Sequence, residues 1–458
     1  MGVNSSATML TDELPRPSLL DPKHRPVSIG TTALISLFAV EYIAVGTAMP
    51  TVARALDGLG LYALAFSATI AASVIGMILG GWWSDRSGPR AVLVAGATIF
   101  GGGLLGAGLS TSMEFFVAAR GLQGLGSGMA IVAIYVVIAQ GIPDHLRPRM
   151  FSLLAAAWVV PGLVGPVLTG FLVDHAGWRW VFLGVIPLVV LSLAVLLPAL
   201  GRTEPGEDAP YLGVATIVWA VLAAVSVGVL NLGGEDISTR DVLIGLPFAA
   251  TLGVAAWRLL PPGTFTLGRG LPSVIAARGA IGASFMAAEA YLPLMLQDLH
   301  GYSPTEAGLA LAVGAVTWAG GSWLQGRLRD TVDRVRVMTF GCAVIVLGAG
   351  LLVAAIGLAW PGWSVLVIWG VVQSGVGVAY PTTSLQTMRL SAPEVLGRNS
   401  SSLQVSEALA SAVALGIVGA VFTALYAGSM QSAFLAVGVA SVAAALAALI
   451  TSARSRPA

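Results

Sequence analysis

Four residues that could do chemistry carry charge where charge is expensive. Glu41, Arg120, Glu289 and Glu407 each lie within a long apolar stretch, and an ionised side chain near the centre of a bilayer costs about 2.5–3.5 kcal/mol even on the lenient insertion scale. A carboxylate held there can exchange a proton or pair with a cationic group. Glu41 stands nine residues before Pro50, at one end of its stretch, and Arg120 six after Glu114, at the same end of another. At ~1.5 Å per residue their depths differ by about 5 Å, so they can pair directly or through water. Pairing lowers the cost of both charges. Losing Arg120 would leave the carboxylate in a medium that favours the neutral acid, which makes the couple a proton switch; the alternative is a static ion pair that fixes helix packing.

Glu289, eight residues before Gln297, mirrors Glu41 in depth, and Glu407 lies near the midplane of its stretch. No cation is expected beside either one. Both should then be protonated, or face a wet cavity where a proton and a cationic or polar substrate compete for one carboxylate. Gln123, Gln373 and Gln404 are the polar side chains expected to line that cavity. Gln373 or Gln404 could also hydrogen-bond a neutral acid and serve packing alone.

These charges need elements that cross a membrane. The chain has 458 residues, of which 56% are apolar before its 57 glycines are counted, and only 10% are charged, where about 25% is usual in soluble proteins. A water-soluble monomer of that composition would expose large apolar areas and aggregate, so a soluble enzyme is excluded. A net charge of +1 gives no field for nucleic acid. The single cysteine, Cys342, allows no internal disulfide and no thiolate metal site. His24, His145, His175 and His300 fall in the tail or at the ends of apolar stretches, and no phosphate loop occurs. No catalytic residue, cofactor or metal ligand is expected.

A hydrocarbon layer of ~30 Å is crossed by ~20 helical residues, and fourteen segments qualify. They lie near 28–49, 61–83, 90–110, 115–141, 150–173, 178–200, 211–232, 241–260, 271–297, 304–326, 336–358, 362–389, 399–427 and 429–452. Residues 1–27 and 453–458 read as tails, with no cleavable signal expected after Arg25. Of the 23 Lys+Arg, 18 fall in connections on one side, three (Arg54, Arg179 and Arg240) on the other, and Arg120 and Arg278 within spans. Cytoplasmic loops retain positive charge, so both termini should be cytoplasmic. One lysine beside abundant arginine, alanine and glycine suggests a bacterial chain, and hence the inner membrane.

The spans repeat. Gly81-Trp82-Trp83-Ser84-Asp85-Arg86 after the second span and Gly326-Arg327-Leu328-Arg329-Asp330 after the tenth each place a glycine four residues before an aspartate, and the aspartates are 245 positions apart. Glu41 and Glu289 are 248 apart. Two similar offsets argue for a six-span unit used twice, over 28–200 and 270–452, with 201–269 as a two-helix insert.

At this point the residues resemble the major facilitator superfamily, specifically its fourteen-span drug/proton antiporters. Gly81 to Arg90, followed by Leu93, is similar to the family's loop pattern Gly-x-Leu-x-Asp-Arg-x-Gly-Arg-Arg, with Trp83 for the leucine and Pro89 for the first basic residue. Arg120-Gly121-Leu122-Gln123-Gly124-Leu125-Gly126 resembles Arg-x-x-Gln-Gly-x-Gly. The run from Pro161 to Gly170, containing Gly165 and Pro166, resembles the antiporter signature Gly-x-x-x-Gly-Pro-x-x-Gly-Gly, with Pro161 and Thr169 each replacing a glycine. Val40 to Pro50 resembles the first-span pattern, Glu41 taking the acidic place, and Trp178-Arg179-Trp180 with Phe182 adds a softer likeness.

The resemblance implies an all-α integral membrane protein with the major facilitator fold: two six-helix bundles, a central two-helix insert and alternating access. It implies a latch built on Gly81, Asp85, Arg86, Gly88, Arg90 and Asp330, with Asp85 near the start of the span at Arg398-Asn399-Ser400, where the helix dipole is positive. Gly165, Pro166 and Gly170 should form a close, kinkable helix contact. The expected activity is proton-coupled export of multiple drugs or other small molecules by antiport, for which lipophilic cations fit and neutral compounds nearly as well. The partners are then a small lipophilic substrate, protons and membrane lipid. The alternatives are a dedicated exporter of one endogenous metabolite or lipid, an importer, or a membrane receptor without transport.

Overall fold

The computed structural model describes residues 18–58, 61–200, 213–230, 239–302, 304–329, 331–426 and 428–456. Sixteen α-helices follow one another among them: α1 (Arg25–Ala55), α2 (Tyr62–Ser87), α3 (Pro89–Gly108), α4 (Met113–Gly141), α5 (Arg147–His175), α6 (Arg179–Leu183), α7 (Ile186–Leu196), α8 (Val214–Leu230), α9 (Thr239–Leu259), α10 (Leu271–Glu289), α11 (Leu292–His300), α12 (Pro304–Gly326), α13 (Arg334–Gly357), α14 (Gly362–Leu390), α15 (Leu396–Tyr426) and α16 (Met430–Ala453). Ten helical stretches among the described residues are long and apolar enough to cross a membrane. Lipid offers no hydrogen-bond partner, so such segments must satisfy their backbone internally. The helix starts obey the same chemistry. Ser112, Asp333 and Ser429 accept from the free N–H groups of Phe115, Val335 and Ser432, and proline stands in the first turn of α1, α3, α5, α7, α10 and α11, where its missing N–H costs nothing.

Two of the predicted spans are each two helices. Span six divides into α6 and α7, and span nine into α10 and α11. Proline is the cause: Pro187 and Pro293 have no N–H for the carbonyls four residues earlier, Leu183 and Glu289, and those are the last residues of α6 and α10. Pro381 leaves α14 unbroken. The carbonyl it strands, that of Gly377, accepts from the Ser322 hydroxyl of α12 at 2.9 Å, as interior helices re-satisfy freed backbone groups.

The helices form two bundles. One apolar core is built from α1, α3, α4, α5, α6 and α7 around Leu34, Phe100, Phe116, Ile134 and Phe182, with α2 packed on α4. The other gathers α10 to α16 around Ile281, Leu296, Ile345, Trp369 and Phe434. The bundles meet where α2 lies along α15 and α5 along α12. The α8/α9 pair touches both: a third core joins Ala223, Val227, Leu252 and Ala255 to Val74 of α2, Val274 of α10 and Leu403 of α15. Large apolar side chains such as Leu122, Leu191, Phe340 and Leu347 face outward, as lipid-exposed surface does. One end of the bundles carries the arginines at helix ends, among them Arg86, Arg147, Arg334, Arg398 and Arg456, and is called here the arginine-rich face.

Candidate functional site

The in-span charges sort into two layers. The first lies far from the arginine-rich face. Glu41 on α1 and Arg120 on α4 form a salt bridge between side chains that are 7% and 3% exposed, and the Gln123 side-chain oxygen accepts from the same Arg120 nitrogen. Arg120 is held further by the Ala65 carbonyl of α2 at 3.4 Å. Tyr42, beside Glu41 on α1, is exposed at the bundle boundary, where Trp158 of α5 meets it edge-on with ring centroids 6.2 Å apart. The Tyr42 hydroxyl lies within electrostatic reach of Glu41 and Arg120 of its own bundle and of Glu289 of the other. One acidic residue from each bundle is thus within reach of the same tyrosine.

Glu289 ends α10 at the break made by Pro293. Its carboxylate accepts from the Gln373 side-chain nitrogen of α14 at 2.7 Å. That partner is a neutral amide. Glu289 is partly exposed, and the next residue, Ala290, is exposed.

The second layer lies nearer the arginine-rich face, and here one expectation fails: Glu407 does have a cationic partner. Arg278 of α10, fully buried, donates from Nε to Glu407 of α15 at 2.8 Å. The helices both start at the arginine-rich face, and the two residues sit seven and eleven positions inside them, about one turn apart in depth. The rest of the guanidinium is occupied too. It donates to the Tyr380 carbonyl at 3.1 Å, to the hydroxyls of Thr383 at 3.1 Å and Ser384 at 3.2 Å, and to the Gln404 side-chain oxygen at 2.9 Å. It also stacks on the Tyr380 ring, 3.1 Å from the centroid, while the Tyr380 hydroxyl donates to Glu407 at 2.9 Å. Gln404 therefore serves the arginine rather than a neutral Glu407. Tyr135 of α4 lies within electrostatic reach of Arg278 and Tyr380 from the other bundle.

Below both layers α2 crosses α15. Asp85 accepts from the backbone N–H groups of Gly397 at 2.5 Å and Arg398 at 2.7 Å, the unpaired donors of the first turn of α15, where a negative charge is favoured. Two glycines make the approach possible. A Cβ on Gly81 would lie 2.8 Å from the Gly397 carbonyl oxygen, and one on Gly397 2.5 Å from that of Gly81. Gly88 ends α2 at φ 74°, a left-handed geometry that suits glycine, and Arg90 donates to the Leu200 carbonyl at 3.1 Å. Asp330 lies outside the described residues. In α5, a Cβ on Gly165 would touch Ile43 of α1 at 3.2 Å, but one on Gly170 meets nothing within 4 Å. The close contact expected of both glycines therefore exists at Gly165 alone.

Sequence reasoning missed Arg278 and Tyr380, although the cost of an in-span charge applies to Arg278 as much as to the glutamates. It missed the aromatic pair Tyr42 and Trp158 because nothing in the sequence separates a ring at a bundle boundary from one facing lipid.

Two helical bundles with a further helix pair packed against both, and ion pairs buried among their helices, define a multi-pass membrane transporter rather than an enzyme. The model of the Major Facilitator Superfamily matches residues 31–415, and the chain belongs to that superfamily. It is 26% identical over 418 residues to "Probable multidrug-efflux transporter Rv1634" of Mycobacterium tuberculosis, covering 87% of this chain and 88% of that one. It is 24% identical over 413 residues to the multidrug transporter protein MdtP of Bacillus subtilis, covering 86% and 75%. Among solved structures, a bacterial homologue of the iron transporter ferroportin in an outward-facing state superposes with a TM-score of 0.69 at 15% identity, covering 93% of this chain and 98% of that one; the likeness is one of fold.

Proposed function

We propose that this chain is a proton-coupled exporter of small lipophilic molecules, cationic ones in particular, working by alternating access in a bacterial inner membrane. The observation that carries this reading is Tyr42, which lies within electrostatic reach of Glu41 of its own bundle and of Glu289 of the other, above a crossing closed by Asp85. In this reading fourteen spans place both termini and the arginine-rich face in the cytoplasm, with 201–269 inserted between bundles 28–200 and 270–452. The Asp85 contact then closes the cytoplasmic side, and protons arriving from outside reach the Tyr42 level first. A proton on Glu289 displaces a bound cation there. A proton on Glu41 releases Arg120 from its counter-charge, and the cost of leaving that guanidinium unpaired favours the rocked conformation. The relatives named multidrug efflux transporters support outward transport.

The test is purified protein in liposomes with an imposed pH gradient, following a fluorescent lipophilic cation together with internal pH. Coupled fluxes of opposite direction, lost in Glu41→Gln, are expected. If no probe in a chemically varied panel moves and internal pH ignores all of them, the reading is wrong.

A further inference from the structure

The broken end of α10 has more unused binding capacity than a proton requires. Four features converge there. The Glu289 carboxylate is held by one side-chain hydrogen bond, from a neutral amide. That amide's own oxygen, Gln373 Oε1, is buried without a partner, on a residue only 2% exposed. One turn earlier on α14, the Trp369 indole N–H is also buried without a partner. Both side chains pack directly against Gly314 of α12, where a Cβ would stand 2.6 Å from Trp369 Nε1 and 3.2 Å from Gln373 Cγ and would push both groups away. The backbone adds to this. Pro293 has no N–H for the Glu289 carbonyl, and the Tyr291 N–H turns to Ala288 at 3.2 Å instead of reaching back to Ala287.

We infer that this break is a binding site for a monovalent alkali cation, held by Glu289, Gln373 Oε1 and the carbonyls freed at the end of α10. The donors are carboxylate, amide and carbonyl oxygens, the set that hard cations take. The C-terminal end of an interrupted helix carries the negative end of its dipole, and such ends with unwound carbonyls hold coupling cations inside membranes. One carboxylate neutralises one positive charge, whereas a divalent ion would leave an uncompensated charge in a low-dielectric layer. A water in the ion's shell supplies the acceptor for Trp369 Nε1. Access is open through partly exposed Glu289 and exposed Ala290. The other carboxylate of this bundle cannot serve, because Arg278 already occupies Glu407.

The inference uses the coupling carboxylate of the proposed exporter, so its test keeps the two apart. Binding of radioactive sodium to purified full-length protein is measured at pH 8 with potassium or choline chloride as competitors, for wild type, Glu289→Gln, Gln373→Leu and Gly314→Ala, each checked for a monodisperse peak. Saturable sodium binding that choline does not displace is expected in wild type. It should be lost in Glu289→Gln and at least tenfold weaker in Gln373→Leu and Gly314→Ala; stronger displacement by potassium than by unlabelled sodium would make potassium the ion. Absence of saturable binding in wild type for either metal, or undiminished binding in Glu289→Gln, overturns the site. Proton-driven export in sodium-free choline medium is run alongside. If it persists while no cation binds, the cation site alone falls. If cation binding follows the expected pattern while proton-driven export is absent, the site stands and the proton reading falls.

Discussion

The two half-buried carboxylates of the second bundle have opposite surroundings. Glu407 faces a guanidinium whose other two nitrogens donate to α14 and α15, while Glu289, about 10 Å farther from the arginine-rich face by helix rise, faces a neutral amide with its own oxygen unsatisfied. A closed network with its charges matched is rigid, and removing any member is costly. A carboxylate with a neutral partner can take up a proton or a cation without leaving a buried charge behind. The lesson is that burial alone does not mark an exchangeable acid; the charge of its partner does.

That contrast can be broken most forcefully at Arg278. Arg278→Met should cost about 3 kcal/mol, the lower end for stripping one partner from a buried pair because the Glu407 side chain is 19% exposed. The double change with Glu407→Leu should recover most of the loss, both read by thermal unfolding in detergent. A single variant as stable as wild type would dissolve the distinction. At Asp85 the expected effect is smaller. Asp85→Asn weakens two charge-assisted bonds to the start of α15 and should favour opening by about 1 kcal/mol. Maleimide labelling of a cysteine placed at buried Ser401, in a Cys342→Ser background, should rise severalfold; unchanged labelling would show that the crossing holds without the charge.

Glu289→Gln should alter unfolding by less than about 1 kcal/mol, the scale of one ordinary hydrogen bond, while abolishing coupled flux. An unfolding loss as large as that of Arg278→Met would put Glu289 in the same class as Glu407. The smallest change belongs to Gly170→Ala, whose methyl meets nothing; stability should stay within about 0.5 kcal/mol of wild type, with export intact. A large loss there would assign the signature glycine a role that packing does not supply.

The fold and much of the site were legible in the chain because bilayer physics is severe. Hydropathy marked the helices, and depth counting paired Glu41 with Arg120. The same counting would have paired Arg278 with Glu407, had the arginine been treated as a charge needing a partner. The breaks at Pro187 and Pro293 escaped because hydropathy is blind to backbone hydrogen bonds, and Pro381 and Pro247, inside the unbroken α14 and α9, show that proline alone does not decide them. Which glycines face a helix and which face open space depends on rotation about each helix axis. Gly81 and Gly170 look alike until the neighbours are placed.

The most direct measurement is proton release on substrate binding. Tetraphenylphosphonium is added to purified protein in weakly buffered detergent at neutral pH, for wild type, Glu289→Gln and the Arg278→Met/Glu407→Leu pair. The account predicts a proton signal in wild type that the double variant keeps and Glu289→Gln loses. A signal that survives in Glu289→Gln and vanishes in the double variant would contradict it, and would move the exchangeable acid to the layer beside Tyr135.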